Sequence, residues 1–196
     1  MTVADPLPLR ERKKLRTRQA LAETAVAMFT GRGFDATTLD ALVEAVEVSK
    51  RTFFRNFRSK EDVALTAIKQ FWGTVLEVLE ERQATGPLLE SLRDVLLEAL
   101  GRMDDYWFRQ FRPTLSLVES SPALQGHTLR YCSEIQRDVV RRLGRGETLE
   151  LRLLVELVVA VWRAAVAEWP PTGSRAELAE HIESAFAAIP RSLSLR

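Results

Sequence analysis

The sequence predicts an all-α protein, with an N-terminal helix-turn-helix unit of three helices joined to a C-terminal helical bundle. Three observations predict it. Apolar residues recur at helical spacing along most of the chain, and no alternating strand pattern occurs. Breaks led by Gly, Pro or Ser divide the chain into helix-length segments. Between Thr37 and Lys60, TTLDALVEAVEVSKRTFFRNFRSK, two short helices meet at a tight turn, and the second is polar and basic on its outer side.

The first helix is expected from about Arg10 to Thr30, with Leu21, Ala25, Met28 and Phe29 on its buried face. Gly31 and Gly33 end it. They read as a helix C-cap, because no strand precedes them and no Gly-Lys-Ser/Thr follows to complete a phosphate cradle. Thr37, with Asp40 three residues on, matches a capping box and starts the second helix, in which Leu39, Leu42, Val43 and Val46 share a face. Ser49 starts the third, its hydroxyl placed to satisfy amides of the first turn. Lys50, Arg51, Thr52, Arg55 and Asn56 then supply donors, while Phe53 and Phe57 form an inward stripe.

Ser59, boxed with Asp62, opens a fourth helix that runs to about Arg82, roughly 35 Å at about 1.5 Å per residue. That length suits a lever between a DNA-binding domain at 1–58 and a second domain at 59–196. Thr85-Gly86-Pro87 is the clearest break. A fifth helix follows, with Leu88, Leu89, Leu92, Val95, Leu96 and Leu100 as its core face. The aromatic segment MDDYWFRQFRP comes next, with Pro113 breaking or kinking its helix. Ser120-Ser121-Pro122 starts a helix to about Leu143, closed by Gly144-Arg145-Gly146. Thr148 to Glu168 is the most apolar helix and stops at Pro170-Pro171. Ser174 with Glu177 caps the last, which ends near Pro190.

Composition narrows the function classes. The chain has 196 residues, 46% hydrophobic and 28% charged, which suits a globular protein with a well-buried core. No apolar run reaches membrane-spanning length and the N-terminus lacks a signal-peptide core, so a cytoplasmic location is expected. The lone Cys132 cannot form an internal disulfide and reads as a small core residue. The net charge of +1 hides an asymmetry: through Lys60, twelve bases oppose seven acids, a balance of +5 that leaves −4 for the remainder. A basic end on a near-neutral chain fits a nucleic-acid module, with the RERKKLRTR arm placed to reach phosphates or a minor groove.

The run from Phe29 to Asp62, with FTGRGFDATTLDAL, then EVSKRTFFRNF, then SKED, resembles the TetR family of one-component transcriptional regulators. The resemblance covers the first third of the chain. Beyond Lys60 only the layout matches: amphipathic helices of the length that family uses for ligand binding and dimerisation. Departures from the family pattern are local. Val43 stands where a small residue is usual, and Val46-Glu47 replace Ala-Gly in the turn. A Glu in a position that favours positive φ costs about 1 kcal/mol. The family's frequent phosphate-contacting Tyr and its neighbouring aromatic are Phe54 and Asn56 here, and Phe54 offers only apolar or base-methyl contact.

Resemblance and helix geometry together place Thr38, the amide end at Ser49, and Lys60 at phosphates, where helix N-termini add a positive dipole end. Lys50, Arg51, Thr52, Phe54 and Asn56 fall where base edges are read; Arg55 either joins them or pairs with an acid of the first helix. A recognition helix of about seven residues reads few bases, so a homodimer on a palindromic operator is expected. The most apolar helix must bury more than one side, against its own core and a partner. The expected interface is Leu151, Val155, Val158, Val159 and Trp162, with Leu178, Ile182 and Phe186 completing a four-helix bundle with the twin. An effector pocket would draw on Trp72, Met103, Trp107, Phe108, Phe111, Tyr131 and Trp162, a set suited to a small hydrophobic molecule, although such a stripe is also what a plain core looks like. The family implies that the effector favours a dimer geometry in which the recognition helices no longer match successive grooves.

Enzymatic function finds no support. His127 and His181 are far apart, Glu177 and His181 are only a weak metal-ligand spacing, and no HExxH, GxSxG or Walker pattern occurs. No catalytic residue, cofactor or metal is therefore expected. The alternative to a ligand-responsive repressor is a helical protein-interaction module that shares the fold without reading DNA.

Overall fold

The computed structural model describes residues 8–82 and 86–195, which form ten helices and, among the described residues, no strand. The first seven residues of the chain and Thr85 of the expected break lie outside the described residues. The chain divides into two compact units: the residues through Ala67 with Pro113–His127, and Ile68–Arg112 with the residues from Thr128 onward.

The first unit is built on α1 (Leu9–Arg32), α2 (Leu39–Ala45), α3 (Lys50–Asn56) and α4 (Lys60–Ala64). Its core is aromatic and aliphatic: Leu21, Ala25 and Phe29 of α1 meet Phe34, Leu42, Phe53, Phe57, Val63 and Leu65, all buried. Phe29 and Phe34 pack edge to face at 5.0 Å between ring centroids. The boundary expected after Arg58 falls inside this unit, because α4 packs against α1. Residues 8–16 of α1 are all exposed, so the basic arm is helical from Leu9 onward.

The caps show how local chemistry sets these short helices. Ser49 accepts from the Thr52 amide at 3.1 Å and Ser59 from the Asp62 amide at 3.2 Å. The α2 cap is Thr38, which accepts from the Ala41 amide at 3.1 Å, and not Thr37. Thr37 is buried and donates its hydroxyl to the Gly33 carbonyl at 2.9 Å, fastening the link between α1 and α2. The long fourth helix expected from Ser59 is two helices, α4 and α5 (Thr66–Glu81), separated at Leu65. There the Thr66 hydroxyl donates to the Val63 carbonyl at 2.7 Å, competing with the helical ladder.

The second unit contains α5 from Ile68, α6 (Leu88–Arg102), the first half of α7 (Asp105–Ser120), most of α8 (Pro122–Leu143), α9 (Leu149–Glu168) and α10 (Arg175–Ser192). Pro113 lies inside α7 and does not end it, as Pro190 lies inside α10. Pro122 occupies the first helical position of α8, where its missing N–H costs nothing. Helix α10 packs against α9 and α6. At the centre Phe71 stacks on Trp162 with centroids 3.9 Å apart, and Trp107 stacks on Phe111 at 4.2 Å. Ser174 and Glu177 form the full reciprocal capping box expected for α10. No helix among the described residues is long and apolar enough to cross a membrane.

Candidate nucleic-acid interface

The helix-turn-helix is held by a turn with one strained residue. Glu47 has φ 55°, the only positive φ outside glycine among the described residues, and it closes the turn beside the Val48 amide, which donates to the Val43 carbonyl at 2.9 Å. The turn thus keeps the shape that a glycine serves without strain, and the side chain is exposed. Beneath α3, Phe53 and Phe57 are buried and fix which side of the helix faces out.

On that outer side the expected residues divide by what already engages them. Arg51 and Arg55 are exposed, and Phe54 is 56% exposed, the only aromatic side chain among the described residues that stands so far into solvent. Arg55 forms no ion pair with an acid of α1 among the described residues; it lines a cleft of about 390 Å³ with Arg10, Lys13, Lys14, Thr17, Thr52 and Asn56, in which Glu11 is the one acid. Lys50 pairs with Asp40 of α2 at 2.6 Å. The Thr52 and Ser49 hydroxyls lie 3.1 Å apart. Asn56 donates its Nδ2 to the Thr52 carbonyl at 2.8 Å, while its Oδ1 is buried without a partner.

Two residues expected at phosphates are already engaged within the chain. Lys60 is turned inward: its ammonium donates to the carbonyls of Phe34 at 2.6 Å and Thr37 at 3.1 Å and lies 4.1 Å from the Phe34 ring centroid. A cation so engaged braces the α1–α2 link. Thr38 is exposed and its hydroxyl oxygen serves as the α2 cap, which leaves its proton available to donate. Sequence reasoning missed Arg18, which donates to the Asn56 carbonyl at the end of α3 and covers the Phe57 ring, and it missed Asp40 as the partner of Lys50. Nothing in the spacing of Arg18 distinguishes it from the other bases of the arm.

The second unit revises both other sites. Leu151, Val155, Val158, Val159, Trp162, Leu178, Ile182 and Phe186, expected at a dimer seam, are all buried within the single chain. Helices α9 and α10 pack on each other and on α6, and the residues of both helices that stand open are intervening ones. Leu153, Ala160, Ala164 and Ala167 of α9, and Glu180, Ser184 and Ala187 of α10, are exposed.

Of the expected pocket residues, Trp72, Met103, Trp107, Phe111 and Trp162 are buried, and Phe108 and Tyr131 are half-buried. Phe108 lies under the Arg175 guanidinium at 4.9 Å and Tyr131 beside the Lys69 ammonium at 5.3 Å. The aromatics fill one another's space. An apolar cavity of this unit, bounded by Trp72, Val75, Leu92, Val139, Val155 and Val159, holds about 20 Å³, against the roughly 300–1,000 Å³ of a small-molecule site. A groove of about 710 Å³ beside α8 and α9 is edged by mixed charges, among them Glu134, Arg137, Arg152 and Glu156, and lacks the apolar lining expected. Cys132 is half-buried and burial pushes its thiol up, which keeps it protonated. The Arg112 guanidinium covers the Trp169 ring at 3.5 Å, and burial lowers its pKa from the ordinary range.

Comparison with known proteins agrees with this geometry. Residues 21–67 match the family model described as bacterial regulatory proteins, tetR family, and residues 86–194 match the MftR C-terminal domain model. The transcriptional regulator TcmR of Streptomyces glaucescens is 36% identical over 172 residues, which is 82% of this chain and 76% of that protein. A TetR-family regulator from Syntrophomonas wolfei superposes with a TM-score of 0.63 at 15% identity, covering 89% of this chain and 95% of that one. SmeT, solved in complex with triclosan, superposes with a TM-score of 0.54 at 16% identity, covering 88% and 91%.

Proposed function

We propose, for a chain that belongs to the TetR family of bacterial regulatory proteins, that it acts as a repressor, binding a palindromic operator as a homodimer and leaving it when a small hydrophobic effector binds. Family membership makes it a transcriptional regulator and not an enzyme. The observation that carries the DNA-reading part is the outward face of α3, where Arg51, Phe54 and Arg55 are exposed on a helix locked from beneath by Phe53 and Phe57.

Each step has its own residues. Arg10, Lys13, Lys14 and Arg55 line one cleft and supply phosphate neutralisation, which gives affinity without sequence information. Lys50 and Arg51 offer donors to guanine, and Phe54 offers an apolar face to a thymine methyl. For the dimer, the small exposed side chains Ala160, Ala164 and Ala167 of α9 and Ser184 and Ala187 of α10 allow close approach of a second copy, with Leu153 as an apolar contact. The effector site of this reading lies in the second unit; SmeT, which shares the fold, is solved in complex with triclosan. Here the 20 Å³ cavity beside Trp72 is its point of entry, and it must enlarge to admit a guest.

The test is selection of preferred duplexes from a random pool, followed by titration of the enriched sequence across a salt series, with Arg51→Ala alongside. The expected result is an inverted repeat bound with strong salt dependence. Arg51→Ala loses about 1–3 kcal/mol of discrimination at one position of each half. Weak, equal binding to every duplex overturns the proposal.

A further inference from the structure

Asp40 is an acid set against the head of the basic helix α3. It lies in the first turn of α2, two residues after the Thr38 cap, and its carboxylate is 2.6 Å from the ammonium of Lys50, the first residue of α3. Both side chains are open, Lys50 by 55% and Asp40 by 71%, so burial does not explain the pair. Exposed ion pairs stabilise a fold little. A negative charge at the head of the recognition helix also repels the phosphates that the rest of this unit is built to attract.

We infer that Asp40 is a specificity-determining residue that acts through Lys50, holding its ammonium at the base edge and away from the phosphates. The inference rests on the DNA-reading function proposed above. A lysine ammonium is a compact, strongly hydrated charge on a flexible stem, with three donors and no preference among anions. Unrestrained, Lys50 pairs with whichever phosphate is near, on any sequence. Tied to Asp40 by one N–H, it keeps two donors for a guanine O6 or N7 and gives up the phosphate. On the preferred sequence the restraint offsets the repulsion, because the ammonium is already in place. On any other sequence there is no base acceptor, and the repulsion is left uncompensated. That is discrimination by a repulsive element, directed at the wrong partner more than at the right one.

The experiment compares wild type, Asp40→Asn, Lys50→Met and the double variant, each titrated against the selected duplex and a scrambled duplex of the same composition over a salt series. Asp40→Asn is expected to tighten the scrambled duplex roughly five-fold and steepen its salt dependence by about one phosphate equivalent. Affinity for the selected duplex should stay within about two-fold, so the specificity ratio falls. In the Lys50→Met background the added steepness should vanish, because no ammonium remains to be freed. A thermal melt of each variant accompanies the titrations; a merely structural Asp40 lowers the melting point and leaves the salt slope alone. An unchanged specificity ratio, or an added salt steepness in Asp40→Asn that survives Lys50→Met, overturns the inference while the DNA-reading function stands; some tightening from the lost repulsion is expected in either background. A wild-type protein that does not distinguish the two duplexes overturns that function, and the inference with it.

Discussion

Arg18 of α1 donates a guanidinium N–H to the carbonyl of Asn56, the last residue of α3, and sits 4.3 Å from the centroid of the Phe57 ring. The recognition helix is therefore closed from outside by a cation at its negative end, where the helix dipole and an orphan carbonyl both favour one. The first and third helices are joined at the point that sets the tilt of α3.

Arg18→Met keeps the aliphatic stem over Phe57 and removes the donor. Stability should fall by about 1 kcal/mol in urea denaturation. The affinity lost should be greater for the preferred duplex than for a scrambled one, since tilt matters only where base edges are read. Equal losses on both would show Arg18 to be another phosphate contact.

Lys60→Met separates bracing from DNA contact. With its ammonium engaged by the Phe34 and Thr37 carbonyls, the variant should lose about 1–3 kcal/mol of stability and keep the wild-type dependence of DNA affinity on salt. A slope shallower by about one phosphate, with stability intact, would return Lys60 to the DNA surface.

Glu47→Gly should stabilise the protein by about 1 kcal/mol, because φ 55° is strained for glutamate and free for glycine. Equilibrium unfolding of the variant measures this directly. A destabilised variant would mean that the Glu47 side chain makes a contribution larger than its backbone strain.

Phe54 is expected to read a methyl group. Replacing thymines of the selected half-site one at a time by deoxyuridine, which removes only the C5-methyl, should weaken binding several-fold at one position. Phe54→Ala should abolish that sensitivity. Sensitivity at no position would leave Phe54 as an apolar spacer.

Acid should act on the start of α10. The Ser174 amide and hydroxyl donate to the Glu177 carboxylate at 2.7 and 2.8 Å and hold it below the usual carboxylate range. A depressed folded value means the cap's contribution is present above the unfolded glutamate pKa and is lost as pH falls through the folded one. Glu177→Gln should therefore show a flatter loss of stability over the acid range than wild type in thermal melts at stepped pH.

Much of this was readable in the chain because it depends on short-range chemistry. Ser49, Ser59, Thr148 and Ser174 cap helices by contacts three residues away, and sequence spacing carries that information. Glu47 was readable only through the resemblance, which puts it where the family carries a turn glycine. Thr37 and Thr38 were confused because both precede a helix start, and only packing decides which hydroxyl turns inward. Lys60 and Arg18 were misread or missed because their partners lie more than twenty residues away, and a base on a basic surface looks the same whichever way it points. The apolar residues of α9 and α10 declared that they would be buried. They could not declare against what, and the chain's own core proved large enough to take them.

The 20 Å³ cavity beside Trp72 has a consequence for how the protein would respond to a signal. A guest of drug size must displace side chains to fit, so part of its binding free energy goes into opening the core. The measured affinity is then the intrinsic one reduced by the rarity of the open form. Substitutions that trim Val139 or Val159 raise the population of that form and should sharpen the response, at the cost of some of the wall the guest would touch. Sensitivity to the signal and firmness of the fold would then be set by the same few side chains, each gained at the expense of the other.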